Sequence, residues 1–193
     1  MGEPTPYPLP PNGTGPSEIA TVTGLNLDGD FTVLLGGLLP MDNWDRVSWN
    51  QSNLERPLCS ILSQSGNRWI EVSADPITSE IILSFFNNGL ITDRTQLFDT
   101  FFTPGSPVLL ALRYEAASNL ITLRASACGA TIAVATLDTF EFDGPVTAVR
   151  FGPGRGTRVT PLDWFGGLAD GRAWSNSEID TSLKSLAFLT PPP

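Results

Sequence analysis

Short apolar runs recur about every ten residues from Ser17 onward, each closed by glycine, proline, asparagine, aspartate or serine. No other feature limits the fold as strongly, because it leaves no room for long helices and demands many tight turns. The runs read IATVT, FTVLLGGLL, LCSILSQS, RWIEVSA, EIILSFF, PVLLALRYE, LITLRASA, ATIAVATL, TAVRFG and FGGLADGRAW. In FTVLLGGLL, Phe31, Val33 and Leu35 share one face at period two. In LITLRASA, Ile121, Leu123 and Ala125 alternate with Thr122, Arg124 and Ser126, the pattern of an antiparallel strand buried on one side. SGN and ADP supply turns, and AASN reads as a hairpin loop.

One helix stands out near the C-terminal end. Ser175 and Glu178 have the spacing of a capping box, and Ile179, Leu183 and Leu186 follow as a single apolar stripe. Many short antiparallel strands and one late helix predict an all-β, antiparallel β-sandwich with one short C-terminal helix. The chain has 193 residues and is 41% apolar, enough for one domain with a core of its own. Residues 1–17 hold five prolines between Pro4 and Pro11 and another at Pro16, and so read as an extended N-terminal arm unable to join a central strand. The expected division is an arm over 1–17, a sandwich over 18–188 and a Pro-rich tail over 189–193.

Composition removes several functions. There is no histidine, so Ser-His and Cys-His nucleophile pairs are excluded and catalysis would fall to carboxylates. The net charge of −9, with no basic stripe, argues against nucleic acid as a partner. No run approaches the roughly 20 apolar residues of a membrane span, and the first residues lack the basic start and apolar stretch of an export signal. Synthesis in a cytoplasm is the expectation. Cys59 and Cys128 read as small buried hydrophobes on strands, with one bridge between them as the alternative.

The stretch WFGGLADGRAWSNSEI, residues 164 to 179, bears most on identity. It resembles the C-terminal seam of concanavalin A-like lectin/glucanase sandwiches, in particular their laminin-G-like and pentraxin-like branch. Trp164, Gly166, Leu168, Asp170, Arg172 and Trp174 occupy the places of that pattern, and Glu178-Ile179 opens the helix. FTVLLGGLLP, ILSQSGNRWIEVS and PVLLALRYEAASNLITLRASACG are similar to earlier pieces of the family, in the same order. The resemblance implies a jelly-roll over about residues 18 to 188. Parity places Trp164 and Trp174 with Leu168, facing the space between two sheets, while Asp170 and Arg172 share a face and can pair with each other or with a neighbouring strand.

Glucanases on this fold are implied to use carboxylates two apart on a strand. The nearest match is Glu141 and Asp143 in EFDGP, but Gly144 and Pro145 follow, and the segment reads as a turn. Calcium is common in the family. Asp28, Asp30, Asp42 and Asp45 are the first candidate ligands, with Asn43, Asn87, Asn88 and Asp163 behind them; the same residues are ordinary turn formers. No cofactor is required on this reading, and calcium is optional. Trp44 and Trp49 lie in the polar run DNWDRVSWNQ and suit a packed loop cap, a protein interface or a glycan site. GPGRGTR lacks the ending of a phosphate loop and reads as a hairpin tip whose Arg155 and Arg158 can meet an acidic partner.

The leading expectation is a non-enzymatic structural or adhesion module of a larger assembly. A lectin-like sandwich made in a cytoplasm without an export signal fits a bacteriophage virion, as a tail, fibre or capsid-decoration component docked on neighbouring subunits through residues 1–17. A glycan-binding host-attachment module, with or without calcium, is the alternative, and a carbohydrate-active hydrolase the weaker one. A homo-oligomer is compatible with each.

Overall fold

The computed structural model describes residues 20–38, 56–75, 80–98, 107–127, 131–137, 141–151 and 164–186. The proposed arm and tail lie outside them, as do Cys128 and most of the loop candidates. Eleven strands and one helix are found among the described residues: β1 (Ala20–Leu27), β2 (Phe31–Leu38), β3 (Arg56–Ser63), β4 (Arg68–Asp75), β5 (Glu80–Asn87), β6 (Leu90–Phe98), β7 (Pro107–Glu115), β8 (Leu120–Ala127), β9 (Thr131–Leu137), β10 (Val146–Phe151), β11 (Trp164–Asp170) and α1 (Asn176–Leu186). They form a six-stranded sheet in the order β1-β10-β3-β4-β5-β6 and a five-stranded sheet in the order β11-β2-β7-β8-β9. Every pairing is antiparallel. The fold is the expected β-sandwich of jelly-roll type.

The core follows from the period-two alternation. Phe31, Val33 and Leu35 meet Leu110 and Leu112 of β7 and Ile121 and Leu123 of β8, all essentially without exposure. Cys59, Ile61, Ile70, Val72, Ile81 and Leu83 face them from the six-stranded sheet. Burying each large aliphatic side chain contributes about 1.5–3 kcal/mol. At one end Phe31, Tyr114 and Phe142 pack as an aromatic trio with centroids 5.2 to 6.0 Å apart. Cys59 is a free thiol within this core, and burial, with the charge of Glu71 behind it, pushes its pKa up.

Two expected turns appear with their predicted chemistry. A single 3-10 turn over Ala116–Ser118 links β7 to β8, closed by Asn119 in the left-handed region at φ 50°. Gly66 turns the β3–β4 hairpin at φ 66°. Strand β6 was not among the expected runs. It is joined to β5 by Asn88 and Gly89, at φ 51° and 86°, the backbone of a type I′ turn. A bulge follows, where Phe85 pairs with Asp93 but Phe86 pairs with Ile91. That slip breaks the alternation of LITDRTQLF and conceals the strand.

The final seam corrects the sequence reading in two ways. Strand β11 ends at Asp170, and a register shift between Leu168 and Asp170 resets the parity before Trp174 is reached. Trp174 therefore does not fill the space between the sheets. It packs with Leu34, Leu109, Ala111, Ile179 and Leu183 on the outer side of the five-stranded sheet, beneath α1. Arg172 also lies past the strand, and its guanidinium holds Glu178 in a two-pronged pair at 2.7 and 3.2 Å. The capping box forms as predicted: the Ser175 N–H donates to Glu178 at 2.7 Å, and the Glu178 N–H donates to Ser175 Oγ at 3.3 Å.

Candidate functional site

Most residues singled out from the sequence are not drawn together. Trp44, Trp49, Asp42, Asn43, Asp45, Arg155, Arg158 and Asp163 lie outside the described residues. Asp28 is exposed in the β1–β2 turn. Asp30, beside it, accepts the Ala116 N–H at 2.8 Å and fastens that turn to the β7–β8 hairpin. Asn87 ends β5 and Asn88 makes the I′ turn. Among the described residues, no three carboxylate or thiol side chains converge as a metal site would require.

Glu141 and Asp143 lie in the loop before β10, as the turn reading expected. Asp143 accepts Ser65 Oγ at 2.5 Å, while Arg68 donates to the Glu141 carbonyl at 2.7 Å. Together they clamp the β3–β4 hairpin. Burial works against the Asp143 charge, but hydrogen bonds from Ser63 and Ser65 outweigh it and hold the carboxyl below its ordinary range. A glycosidase acid needs the opposite shift. The Tyr114 hydroxyl is pushed up by burial and by Glu141 nearby, and serves the aromatic trio.

The outer face of the six-stranded sheet has a different character. Registers across five strands place Arg150, Ser60, Glu71, Ser84 and Arg94 in one row. Ser60, Glu71 and Ser84 alternate with core residues, Val149 beside Arg150 is also core, and Arg94 pairs with Ser84, so the row lies on the side away from the sandwich interior. Its sign pattern is cation, hydroxyl, anion, hydroxyl, cation. Ser60 and Ser84 form a buried floor, Glu71 and Arg150 are half-buried, and Arg94 is exposed. Glu71 accepts Ser73 Oγ at 3.1 Å from the same face. Ser60 Oγ is buried with no hydrogen-bond partner.

An apolar row borders the polar one. Leu62, Trp69, Phe86 and Ile91 stand in register beside it, and the Trp69 and Phe86 rings stack at 4.6 Å, 6° from parallel. Leu62 and Trp69 are buried, so the apolar surface beside the polar row comes from Phe86, half-buried, and Ile91, exposed; polar edges beside such surface suit a ligand of mixed character. None of these residues was singled out from the sequence. Parity in RWIEVSA puts Trp69, Glu71 and Ser73 on one face and Ile70 and Val72 on the other, which marks the outer side of one strand. The row itself exists only once five strands are in register.

No protein-family model matches the chain, and no curated protein matches it. Solved structures do. The binding domain of botulinum neurotoxin serotype G is similar with a TM-score of 0.51 at 10% identity, over 85% of this chain and 37% of that one. The chain thus spans well under half of that domain. Toad ovary galectin in complex with thio-digalactose is similar with a TM-score of 0.47 at 10% identity, over 76% of this chain and 96% of the galectin. Ancestral congerin gives 0.47 at 11% identity, over 77% and 98%. At such identities the likeness is one of backbone arrangement. The chain has a lectin-like jelly-roll fold.

Proposed function

We propose that the chain is a non-catalytic recognition module that binds a glycan on the outer face of its six-stranded sheet. The observation that carries this is the Arg150–Ser60–Glu71–Ser84–Arg94 row, whose charged members are half-buried or exposed, beside the Trp69–Phe86 stack. Hydroxyl pairs of a sugar both donate and accept. Glu71 accepts only, the two arginines donate only, and the serines do either. The Phe86 ring, half-buried, offers apolar surface to the C–H face of a sugar.

The test is a glycan array followed by titration calorimetry on the hits, with calcium and with EDTA. Binding is expected to be unchanged by EDTA. Glu71→Gln is expected to reduce affinity about tenfold or more, as loss of a charge-assisted hydrogen bond does, while the melting temperature stays near that of the parent chain. A flat array from well-folded protein, or full affinity in Glu71→Gln, would sink the reading.

The larger setting is a separate proposal. A virion component tethered through residues 1–17 is supported by the arm's sequence, whose prolines favour an extended, pre-ordered segment suited to docking on another subunit. Deleting residues 1–17 is expected to abolish incorporation into the particle and leave the melting transition in place; normal incorporation would end the tether idea.

A further inference from the structure

An asparagine followed by glycine is a chemically unstable step. The backbone nitrogen of the next residue can attack the side-chain amide, and glycine has no Cβ to block the approach. Of the asparagines among the described residues, Asn88 alone precedes a glycine. Asn88 and Gly89 form the two-residue turn between β5 and β6, and both are exposed. A Cβ at Gly89 would meet nothing within 4 Å, so the turn has room for a ring. The Asn88 N–H donates to the Asn67 carbonyl at 2.8 Å, and among the described residues no turn bond engages the Gly89 N–H. The bulge between Phe85 and Phe86 interrupts the ladder just behind the turn. Hairpin tips of this kind open at the low end of local stability, which gives the backbone the rotation that the attack requires. Asn119 is the contrast. It has the same left-handed backbone, at φ 50° against 51°, but leucine follows it. Its N–H donates to the Ala116 carbonyl at 3.3 Å, and its side chain accepts the Tyr114 hydroxyl at 3.4 Å.

We propose that Asn88 is a site of spontaneous deamidation, and that its iso-aspartyl product unfastens β6 from the outer face of the six-stranded sheet. The Gly89 nitrogen loses its proton to water or hydroxide and bonds to the Asn88 side-chain carbonyl carbon. The bond from that carbon to the amide nitrogen breaks, and the nitrogen leaves as ammonia. Water then opens the cyclic imide at one of its two carbonyls. One opening gives aspartate; the other carries the main chain through the former side chain and lengthens it by one methylene. A two-residue turn sets the register of its hairpin, so an extra backbone atom there has no place to go. Within its sheet β6 pairs with β5 alone. The strand that loosens carries Ile91 and Arg94 opposite Phe86 and Ser84.

Ageing the full chain in mildly alkaline buffer tests this, continued until Asn12, the other asparagine that precedes glycine, has reacted. Peptide mapping is expected to show Asn88 converted to acid, part of it iso-aspartate labelled by an isoaspartyl methyltransferase, and Asn119 still an amide. Amide exchange in β6 should accelerate in the aged chain and stay unchanged in β8. Two variants separate the product from the turn. Asn88→Gly accepts a positive φ and has no amide to lose, so its β6 should keep its protection through ageing. Unaged Asn88→Asp carries the ordinary product, which tolerates the left-handed backbone, so its β6 should match the unaged parent. An Asn88 amide that survives the ageing, or β6 loosening equally in aged Asn88→Gly, would overturn the proposal. Because it is read by mass and exchange, it stands or falls apart from glycan binding at this face.

Discussion

The two outer faces of this sandwich use polar side chains for opposite ends. On the five-stranded sheet they hold α1. Thr32, fully buried, donates to the Arg172 carbonyl at 2.9 Å and accepts the Trp174 N–H at 3.0 Å. Arg113 donates to the Trp174 carbonyl and to Asn176 at 2.9 and 3.0 Å, and Arg124 grips Asp180. Beneath them Ile179 and Leu183 bury completely against Leu109 and Ala111. On the six-stranded sheet a comparable row of hydroxyls and charges lies under no described helix, and one of its hydroxyls has no partner. The contrast is between polar groups that seat a helix and a polar row over which no described helix lies.

The sharpest way to break that contrast is at Thr32. Thr32→Val keeps the shape and removes both hydrogen bonds, leaving the Arg172 carbonyl and Trp174 N–H without the hydroxyl. The expected cost is about 1–3 kcal/mol, read as a lower denaturant midpoint with an unchanged slope. Amide exchange at Ile179, whose N–H donates to the Ser175 carbonyl at 3.1 Å, should accelerate more than exchange in β4. Equal acceleration in both places would mean that α1 is not a distinct unit held by this face.

A smaller effect sits at the helix start. The Arg172 hydrogen bond first, and the Ser175 cap after it, lower the Glu178 pKa from 4.5 to about 2. A carboxylate with a lowered folded-state pKa stabilises the fold fully above its unfolded value. The contribution is therefore complete above about pH 4.5 and is lost as pH falls from there toward about 2. Helical circular dichroism followed down this window should fall in the parent chain, and Glu178→Gln should remove that part of the dependence. Because the pair is exposed, high salt should flatten the profile too. An identical pH profile in the variant would show that another group governs the transition.

Sequence reading went far where the information is local. The alternation of LITLRASA, the AASN hairpin and the S-x-x-E box each appear as expected, since each is decided within a few residues. It failed where one residue shifts the phase. The bulge in β6 hid a nine-residue strand despite the Asn88-Gly89 signal before it. The shift after Leu168 moved Trp174 from the expected interior to the outside, under α1. The candidate face was hidden for a third reason. Arg150 and Ser60 are 90 positions apart and become neighbours only because β10 inserts between β1 and β3, a choice no single strand announces.

Ser60→Ala is the smallest perturbation and decides the most. Ser60 and Thr32 are both fully buried hydroxyl residues on outer faces, and they differ in whether the fold gives the oxygen a partner. Deleting a buried hydroxyl that bonds nothing removes no interaction, so stability should stay within about 0.5 kcal/mol of the parent. If glycan binding displaces what closes this oxygen off from solvent and the hydroxyl then bonds the glycan, affinity should fall about threefold to tenfold, the worth of one neutral hydrogen bond. Thr32→Val should show the reverse pattern, with stability lost and affinity kept. A Ser60→Ala chain as destabilised as Thr32→Val would mean that this oxygen has a partner within the folded chain. The two faces would then differ in what they hold, and no longer in whether they face inward or outward.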